Sequence, residues 1–322
     1  MDPILPDFED VLAAAARIAP FAHRTPVHRS RSLDALAGAE LVFKCENLQR
    51  IGAFKFRGAC NAVMALDEAS AARGVVTHSS GNHGAAVALA ARLRGIPCHV
   101  VVPEGAVASK LAAIQAYGAV LHRCPPGTPA REAATARLRA ETGATLVHPY
   151  KDRQVIAGQG TAALELLAEA GHLDALMTPL GGGGLLGGTA ITARARAGDI
   201  AVFGAEPEGA ADGIASLAAG HVVTDIVPET ICDGLRGTLG EPNLALIQRH
   251  RVQLLPVSDA EVVAAMRLAW ERLKLVIEPS SATVLAAVFR HRDHFAGRRV
   301  GLILSGGNVD LAALPWQEQN AT

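Results

Sequence analysis

From about residue 40 onward the chain alternates short β-rich runs with longer stretches of helical periodicity, and this alternation constrains the fold more than any other feature. Residues 41–45, 75–77, 98–102, 120–123, 175–178, 202–205, 252–256 and 300–304 read as strands. Residues 56–69, 84–94 and 259–273 read as helices, with apolar positions recurring about every 3.6 residues. Strands joined by helices of that length need right-handed crossovers, so the sheets should be mainly parallel and covered on both faces. Aromatic residues make up only 4% of the chain, so the core must rest on Val, Leu, Ile and Ala. The expected class is α/β, with parallel-rich twisted sheets flanked by helices.

Charge narrows the partners. Thirty Lys and Arg against 31 Asp and Glu leave a formal charge of −1, with no basic surplus to neutralise a nucleic-acid backbone. A small-molecule partner is expected instead. Residues 1–10 carry acids and no base, unlike a secretory leader, and no apolar run approaches the roughly 20 residues that cross a bilayer. Five cysteines (Cys45, Cys60, Cys98, Cys124, Cys232) form no CxxC pair and read as free thiols, which points to a cytoplasmic protein. Residues 125–129 read as a surface loop. The runs 249–251 and 291–294 read as solvated helix ends, with a metal pair of His291 and His294 as the alternative.

Four segments carry chemistry. In Glu46-Asn47-Leu48-Gln49-Arg50-Ile51-Gly52-Ala53-Phe54-Lys55-Phe56-Arg57-Gly58-Ala59, a lysine lies between two phenylalanines where a helix begins. Apolar neighbours and a positive helix end both disfavour its ammonium form, as a Schiff-base lysine requires. A lysine that packs its stem and snorkels its head to water fits the segment equally well. Thr77-His78-Ser79-Ser80-Gly81-Asn82-His83-Gly84 joins a strand to a helix and offers backbone N–H groups to a carboxylate, unless Ser79 or Ser80 caps the helix. Gly181-Gly182-Gly183-Gly184-Leu185 lets the backbone approach an anion, a phosphate cradle on physical grounds. Leu302-Ile303-Leu304-Ser305-Gly306-Gly307-Asn308 is a buried strand breaking into a loop.

A rival reading begins at the same glycines. Gly182, Gly184 and Gly187 satisfy GxGxxG, and Glu206 lies nineteen residues beyond Gly187, so this stretch alone matches a dinucleotide-binding fingerprint of an NAD(P)-dependent oxidoreductase. That reading accounts for neither the Lys55 segment nor the 79–84 loop. Glu206 and Asp212, six apart in a turn-forming stretch, fit either a hard-cation site or a solvated acidic turn. Glu278, just before Pro279, fits a surface acid at a helix start.

Taken together and in this order, the motifs resemble those of the fold-type II pyridoxal-phosphate enzymes, specifically the serine racemase and serine/threonine dehydratase branch, from about Thr25 to Leu311. The resemblance implies a tryptophan-synthase-β-like, two-domain fold, with residues 1–73 and 148–322 as the large cofactor-binding domain and 74–147 as a small mobile one. It implies pyridoxal 5′-phosphate on Lys55 beside Phe54, its phosphate held by Gly181, Gly182, Gly183, Gly184 and Leu185. It further places Asn82 at the cofactor 3′-oxygen, Glu278 beside the ring and Ser305 at the pyridine nitrogen. Ser79, Ser80, Gly81, Asn82 and His83 would bind the substrate carboxylate, with Ser80 facing the substrate opposite Lys55. Glu206, the Ala210 carbonyl and Asp212 match a structural divalent-cation site (Mg²⁺, Ca²⁺ or Mn²⁺), and a homodimer is implied. Arg31 and Ala85 depart from the nucleotide effector site of serine racemase, so ATP activation is not expected.

The expected reaction is dehydration and deamination of a 3-hydroxy amino acid, of the L-threonine or L-serine type, to a 2-oxo acid and ammonia. Ser80 keeps serine racemisation open. Gly237 replaces a serine of the racemases and leaves room for a bulkier substrate such as phenylserine. Arg131, and Lys151 where several relatives carry an acid, favour 3-hydroxyaspartate instead.

Overall fold

The computed structural model describes residues 5–317. Ten strands form two sheets: β1 (Val27–Arg29), β2 (Glu40–Cys45), β3 (Val75–His78), β4 (Cys98–Pro103), β5 (Val120–Cys124), β6 (Thr145–Leu146), β7 (Ala175–Pro179), β8 (Ala201–Pro207), β9 (Gln253–Val257) and β10 (Arg299–Leu304). The larger sheet runs β1-β2-β10-β7-β8-β9 and the smaller β5-β4-β3-β6. Every pairing is parallel except that of β1 with β2. All eight expected strands are present. β1 and β6, three and two residues long, are too short to leave a periodic signal.

Both faces of each sheet are buried, as parallel strands demand. Leu41, Phe43, Met177, Leu302 and Leu304 face one core, under the helices Asp259–Leu273 and Pro279–Arg290. Val42, Leu176 and Ile303, one residue out of phase, face another under the helices Arg153–Ala170 and Gly184–Ala197. The smaller sheet buries Val75, Val100 and Val102 on one side and Val76, Val101 and Cys124 on the other. All five cysteines are buried free thiols, and no helix among the described residues is long and apolar enough to cross a membrane.

Two local expectations change. The helix expected over 56–69 is two helices, Lys55–Met64 and Glu68–Ala72, because Asp67 caps the second by accepting from Ser70 N at 2.8 Å. The loop expected over 125–129 is partly helix: Thr128–Thr142 starts with Pro129 in its first turn, where no N–H is needed. In the 291–294 stretch, His291 Nε2 bonds the Pro256 carbonyl at 2.9 Å and its ring lies 6.3 Å from that of His294, so the pair does not converge on a metal.

The lysine-bearing helix Lys55–Met64 packs closely on Arg153–Ala170. A Cβ at Gly158 would lie 2.7 Å from Gly58 Cα, so only glycine allows this approach. Beneath the contact lies a buried charge cluster. Arg57 grips Glu46 with Nε and Nη2 (2.7 and 2.8 Å) and Glu165 with Nη1 and Nη2 (2.8 Å each). Lys44 donates to Glu165 and to the Thr25 carbonyl, both at 2.6 Å. Lys44, Glu46 and Arg57 are wholly buried. Removing one member of such a cluster strands the opposite charge, at a cost of about 3–5 kcal/mol. Arg57→Met should therefore lower the midpoint of urea unfolding sharply, and adding Glu46→Gln should recover part of the loss. A single variant as stable as the parent would refute this.

Candidate active site

In parallel sheets the loops at the carboxyl ends of strands lead to helix starts, and here four of them converge between the two sheets. The segment after β2 carries Lys55, the loop after β3 carries Ser79–His83, the turn after β7 is the glycine loop, and the turn after β10 carries Ser305.

Lys55 opens its helix, and the approach to it is strained. Ile51 sits at φ 60°, a left-handed conformation that a β-branched residue rarely adopts. The loop after β10 holds it there: Asn308 Nδ2 donates to Ile51 O (2.7 Å), Gly307 N to Gly52 O (2.9 Å), and Phe54 N to Ser305 O (2.9 Å). The Lys55 amine lies 5.1 Å from the centre of the Phe54 ring and donates to the Pro149 carbonyl at 3.1 Å. Burial lowers it from an ordinary 10.5 to about 8, with Glu278 pulling the other way. It is not a lysine with its head in free water.

Glu278 is no surface acid. It is 4% exposed, and burial raises it to about 7, against the bond from Asn82. Asn82 Nδ2 reaches both of its oxygens (3.1 and 3.2 Å), Asn308 N donates to it at 3.1 Å, and Asn308 Nδ2 donates to Asn82 Oδ1 at 2.9 Å. Asn82 opens the helix that follows β3 of the smaller sheet and Glu278 stands at the N-cap of the helix Pro279–Arg290 covering the larger, so this triad links the two sheets' layers. Its amide is occupied by protein partners here, so a contact to a cofactor oxygen would require one of them to yield.

Neither Ser79 nor Ser80 caps the helix Asn82–Arg94; Gly81 stands at the cap with no side-chain bond. Ser79 Oγ instead accepts from Gly81 N (3.3 Å), while the Ser80 hydroxyl bonds no described residue. His83 is buried, with Nε2 on the Val147 carbonyl at 3.1 Å. The helix Gly184–Ala197 likewise begins uncapped, behind Gly183 at φ +89°. A side chain on Gly182 would collide with the Tyr150 ring, and one on Gly181 would lie 2.9 Å from Leu235 Cα. The first-turn amides, Leu185 included, have no side-chain cap, and the loop before them is packed so closely that only glycine fits. Tyr150 packs on this loop, and the adjacent Pro149 accepts from the lysine. Ser305 is buried at the start of its loop.

A family model for "Pyridoxal-phosphate dependent enzyme" matches residues 18–306. The chain is 49% identical over 312 residues to the β-hydroxyaspartate dehydratase of Paracoccus denitrificans, covering 97% of this chain and 99% of that one. It is 46% identical over 309 residues to the L-threo-3-hydroxyaspartate ammonia-lyase of Saccharomyces cerevisiae, covering 96% and 95%. The structure of maize serine racemase superposes with a TM-score of 0.93 at 44% identity, covering 95% of each chain. The chain is a pyridoxal-phosphate-dependent enzyme. It belongs to the fold-type II class, in the branch shared by serine racemases and hydroxy-amino-acid dehydratases.

The residues of this pyridoxal-phosphate enzyme fit the cofactor: a glycine loop ending in uncapped helix-start amides suits its phosphate, and an amine depressed towards neutrality suits its aldehyde. The dinucleotide reading fails at Glu206. Its carboxylate is wholly buried and accepts from Gly213 N and Ile214 N (2.8 Å each), so it faces a helix start and not a ribose.

Three further residues bear on the substrate. A Cβ at Gly237 would sit 3.5 Å from Tyr150 Cε1, an ordinary contact, so the Tyr150 ring borders the room that this glycine leaves. Lys151 is paired with Glu241 at 2.9 Å and is not a free cation. Arg131 bonds Thr128 Oγ1 at 3.0 Å through Nη2, while its buried Nε has no partner. Asn308 closed a recognised motif without being given a role, and His148 and Tyr150, between β6 and the helix Arg153–Ala170, carry no pattern of their own.

An amine lowered to about 8 reacts with an aldehyde through its neutral form. The rate at which cofactor-stripped protein takes up pyridoxal phosphate should rise with pH and level off above about 8. Lys55→Ala should abolish both the visible absorbance of the bound cofactor and 2-oxo acid release, with the fold retained by circular dichroism. A rate still climbing towards pH 10 would contradict the depressed amine.

Proposed function

We propose that this enzyme dehydrates and deaminates a 3-hydroxyaspartate to a 2-oxo dicarboxylic acid and ammonia. The observation that carries the proposal is the buried Nε of Arg131, which has no partner among the described residues; the charge of Arg131 acts on both His78 and Tyr150. A second carboxylate is the ligand such a cation lacks. The names of the Paracoccus and yeast relatives support the same acidic substrate over the L-threonine or L-serine expected from the branch at large. The phenylserine alternative rests on space at Gly237, and the Tyr150 ring borders that space.

In this reading the uncapped amides of the Ser79–His83 loop hold the α-carboxylate, and Gly181–Leu185 anchor the cofactor phosphate. Bound at Lys55, pyridoxal phosphate supplies the electron sink that acidifies the Cα–H bond. The Lys55 amine, neutral over much of the range near its value of about 8, takes the Cα proton. Ser80, whose hydroxyl is free of protein partners, gives a proton to the departing β-hydroxyl. Ser305, a hydroxyl and not a carboxylate, cannot hold the pyridine nitrogen protonated, which favours prompt loss of the β-substituent over a long-lived carbanion. Water then completes release of ammonia. The same free Ser80 hydroxyl supports racemisation as a second outcome, by returning a proton to the opposite face.

Release of 2-oxo acid and ammonia from a panel of L-serine, L-threonine, phenylserine and the diastereomers of 3-hydroxyaspartate tests the assignment. One hydroxyaspartate should give the highest kcat/KM, and Arg131→Gln should cut its advantage over L-serine by about thirtyfold, as expected for about 2 kcal/mol from a charged contact. Accumulation of a D-enantiomer without oxo acid would overturn it in favour of a racemase.

We also propose a structural divalent cation held by Glu206, the Ala210 carbonyl and Asp212. Both carboxylates are buried, burial raises Glu206 to about 8, and neither has a basic partner among the described residues. Such a pair suits a hard cation. EDTA should lower the melting temperature, Mg²⁺, Ca²⁺ or Mn²⁺ should restore it, and Glu206→Gln should respond to neither.

A further inference from the structure

The chain leaves the smaller sheet through Val147-His148-Pro149-Tyr150-Lys151, a stretch that borders the reacting amine, since Pro149 O accepts from Lys55 Nζ. Two side chains of this stretch are donors without acceptors. His148 Nδ1 accepts from Tyr150 N (3.3 Å) and Lys151 N (3.1 Å), and backbone N–H groups can only donate. Nδ1 therefore carries no proton, and the ring's one proton resides on Nε2, which meets no acceptor among the described residues. Burial, with His78, Lys151 and Lys55 nearby, pushes the ring down to about 3, so this tautomer persists across the working pH range. His78 stands edge-on to it, 5.2 Å between ring centres.

Tyr150 packs edge-on to His148 at 4.7 Å and is wedged against three glycines, Gly182, Gly237 and Gly240. Its hydroxyl bonds no described residue. Burial raises it to about 12 while Arg131 pulls it down, so it stays a neutral donor with a guanidinium nearby. The adjacent acids are engaged elsewhere or exposed: Glu241 pairs with Lys151, Asp212 accepts from Leu239 N at 2.7 Å, and Glu132 is exposed.

We propose that the Tyr150 hydroxyl and His148 Nε2–H, together with Arg131, form the subsite that binds the second carboxylate of the substrate. The inference rests on the 3-hydroxyaspartate reading above and adds to it two specificity-determining residues and a tautomer. A carboxylate offers several lone-pair directions and needs several donors; one cation and two neutral donors meet that need without a second fixed positive charge. The same Tyr150 ring borders the position of Gly237, so the hydroxyl that recognises the acidic side chain stands on a ring held beside the site.

The test compares kcat/KM for 3-hydroxyaspartate and L-serine in the pyridoxal-phosphate-loaded enzyme and its Tyr150→Phe and His148→Ala variants. Tyr150→Phe keeps the ring and removes only the hydroxyl. It should lower the hydroxyaspartate-to-serine ratio at least about tenfold, the loss falling mainly on KM, since a hydrogen bond to a charged group contributes about 1.5–3 kcal/mol. His148→Ala should shift the ratio the same way. If the parent enzyme prefers hydroxyaspartate but Tyr150→Phe leaves the ratio unchanged, or lowers both activities equally, the subsite is wrong while the substrate reading stands. If the parent prefers L-serine, the substrate reading fails and takes the subsite with it.

Discussion

Everything in the site hangs from Arg57, because this buried guanidinium joins the segments that carry the reacting groups. It sits two residues beyond Lys55, so the helix that bears the lysine can neither slide nor rotate without breaking four charge-assisted bonds. One carboxylate, Glu46, comes from the turn after β2; the other, Glu165, comes from the helix Arg153–Ala170. Lys44 then ties Glu165 back to the Thr25 carbonyl. Two cations and two acids balance, which is what makes a charge cluster tolerable in an interior where a lone ion is costly. The cluster contributes position more than net stability: it sets the distance between the turn after β2 and the helix Arg153–Ala170.

Arg153–Ala170 carries that position onward through its glycines. On one side Gly158 meets Gly58 of the lysine helix; on another, a Cβ at Gly160 would lie 2.8 Å from the Gly188 carbonyl of the helix behind the phosphate cradle. Two backbone-to-backbone contacts on a single helix therefore fix the lysine and the cradle relative to each other. The loop after β10 completes the frame from the opposite side, holding Ile51 in a conformation that it would otherwise leave. Strain at Ile51 is local, and it is offset by the ladder of bonds from Ser305, Gly307 and Asn308.

The strand framework and the segments around Lys55, Ser79–His83, Gly181–Leu185 and Ser305 were legible in the sequence because each carries a local pattern: period-two or continuous apolar runs, or glycines where a helix begins. What was illegible was non-local. No spacing reveals that Lys44, Glu46, Arg57 and Glu165 meet, since they lie up to 121 residues apart and look like ordinary surface charges. Glu278 read as readily as a surface acid, because its burial comes from Asn82 and Asn308 in other segments. What borders Gly237 was hidden for the same reason: the ring beside it comes from Tyr150, and a glycine in a sequence reports only what its own side chain lacks.

The glycine loop shows how a local pattern can be correct and still ambiguous. Gly182, Gly184 and Gly187 fit a dinucleotide fingerprint because both kinds of cradle solve one problem, bringing backbone N–H groups against a phosphate at a helix start. The glycines therefore identify an anion and not its owner. What separates the two is the acid downstream. For a ribose it must stand free at a strand end; here Glu206 turns inward onto Gly213 N and Ile214 N, and Asp212, which also engages Leu239 N, is close enough to push it up. A carboxylate wholly buried under that helix start is out of reach of a sugar hydroxyl. The lysine then separates the two readings, since an aldehyde-bearing phosphate has a use for an amine held near neutrality and a dinucleotide has none.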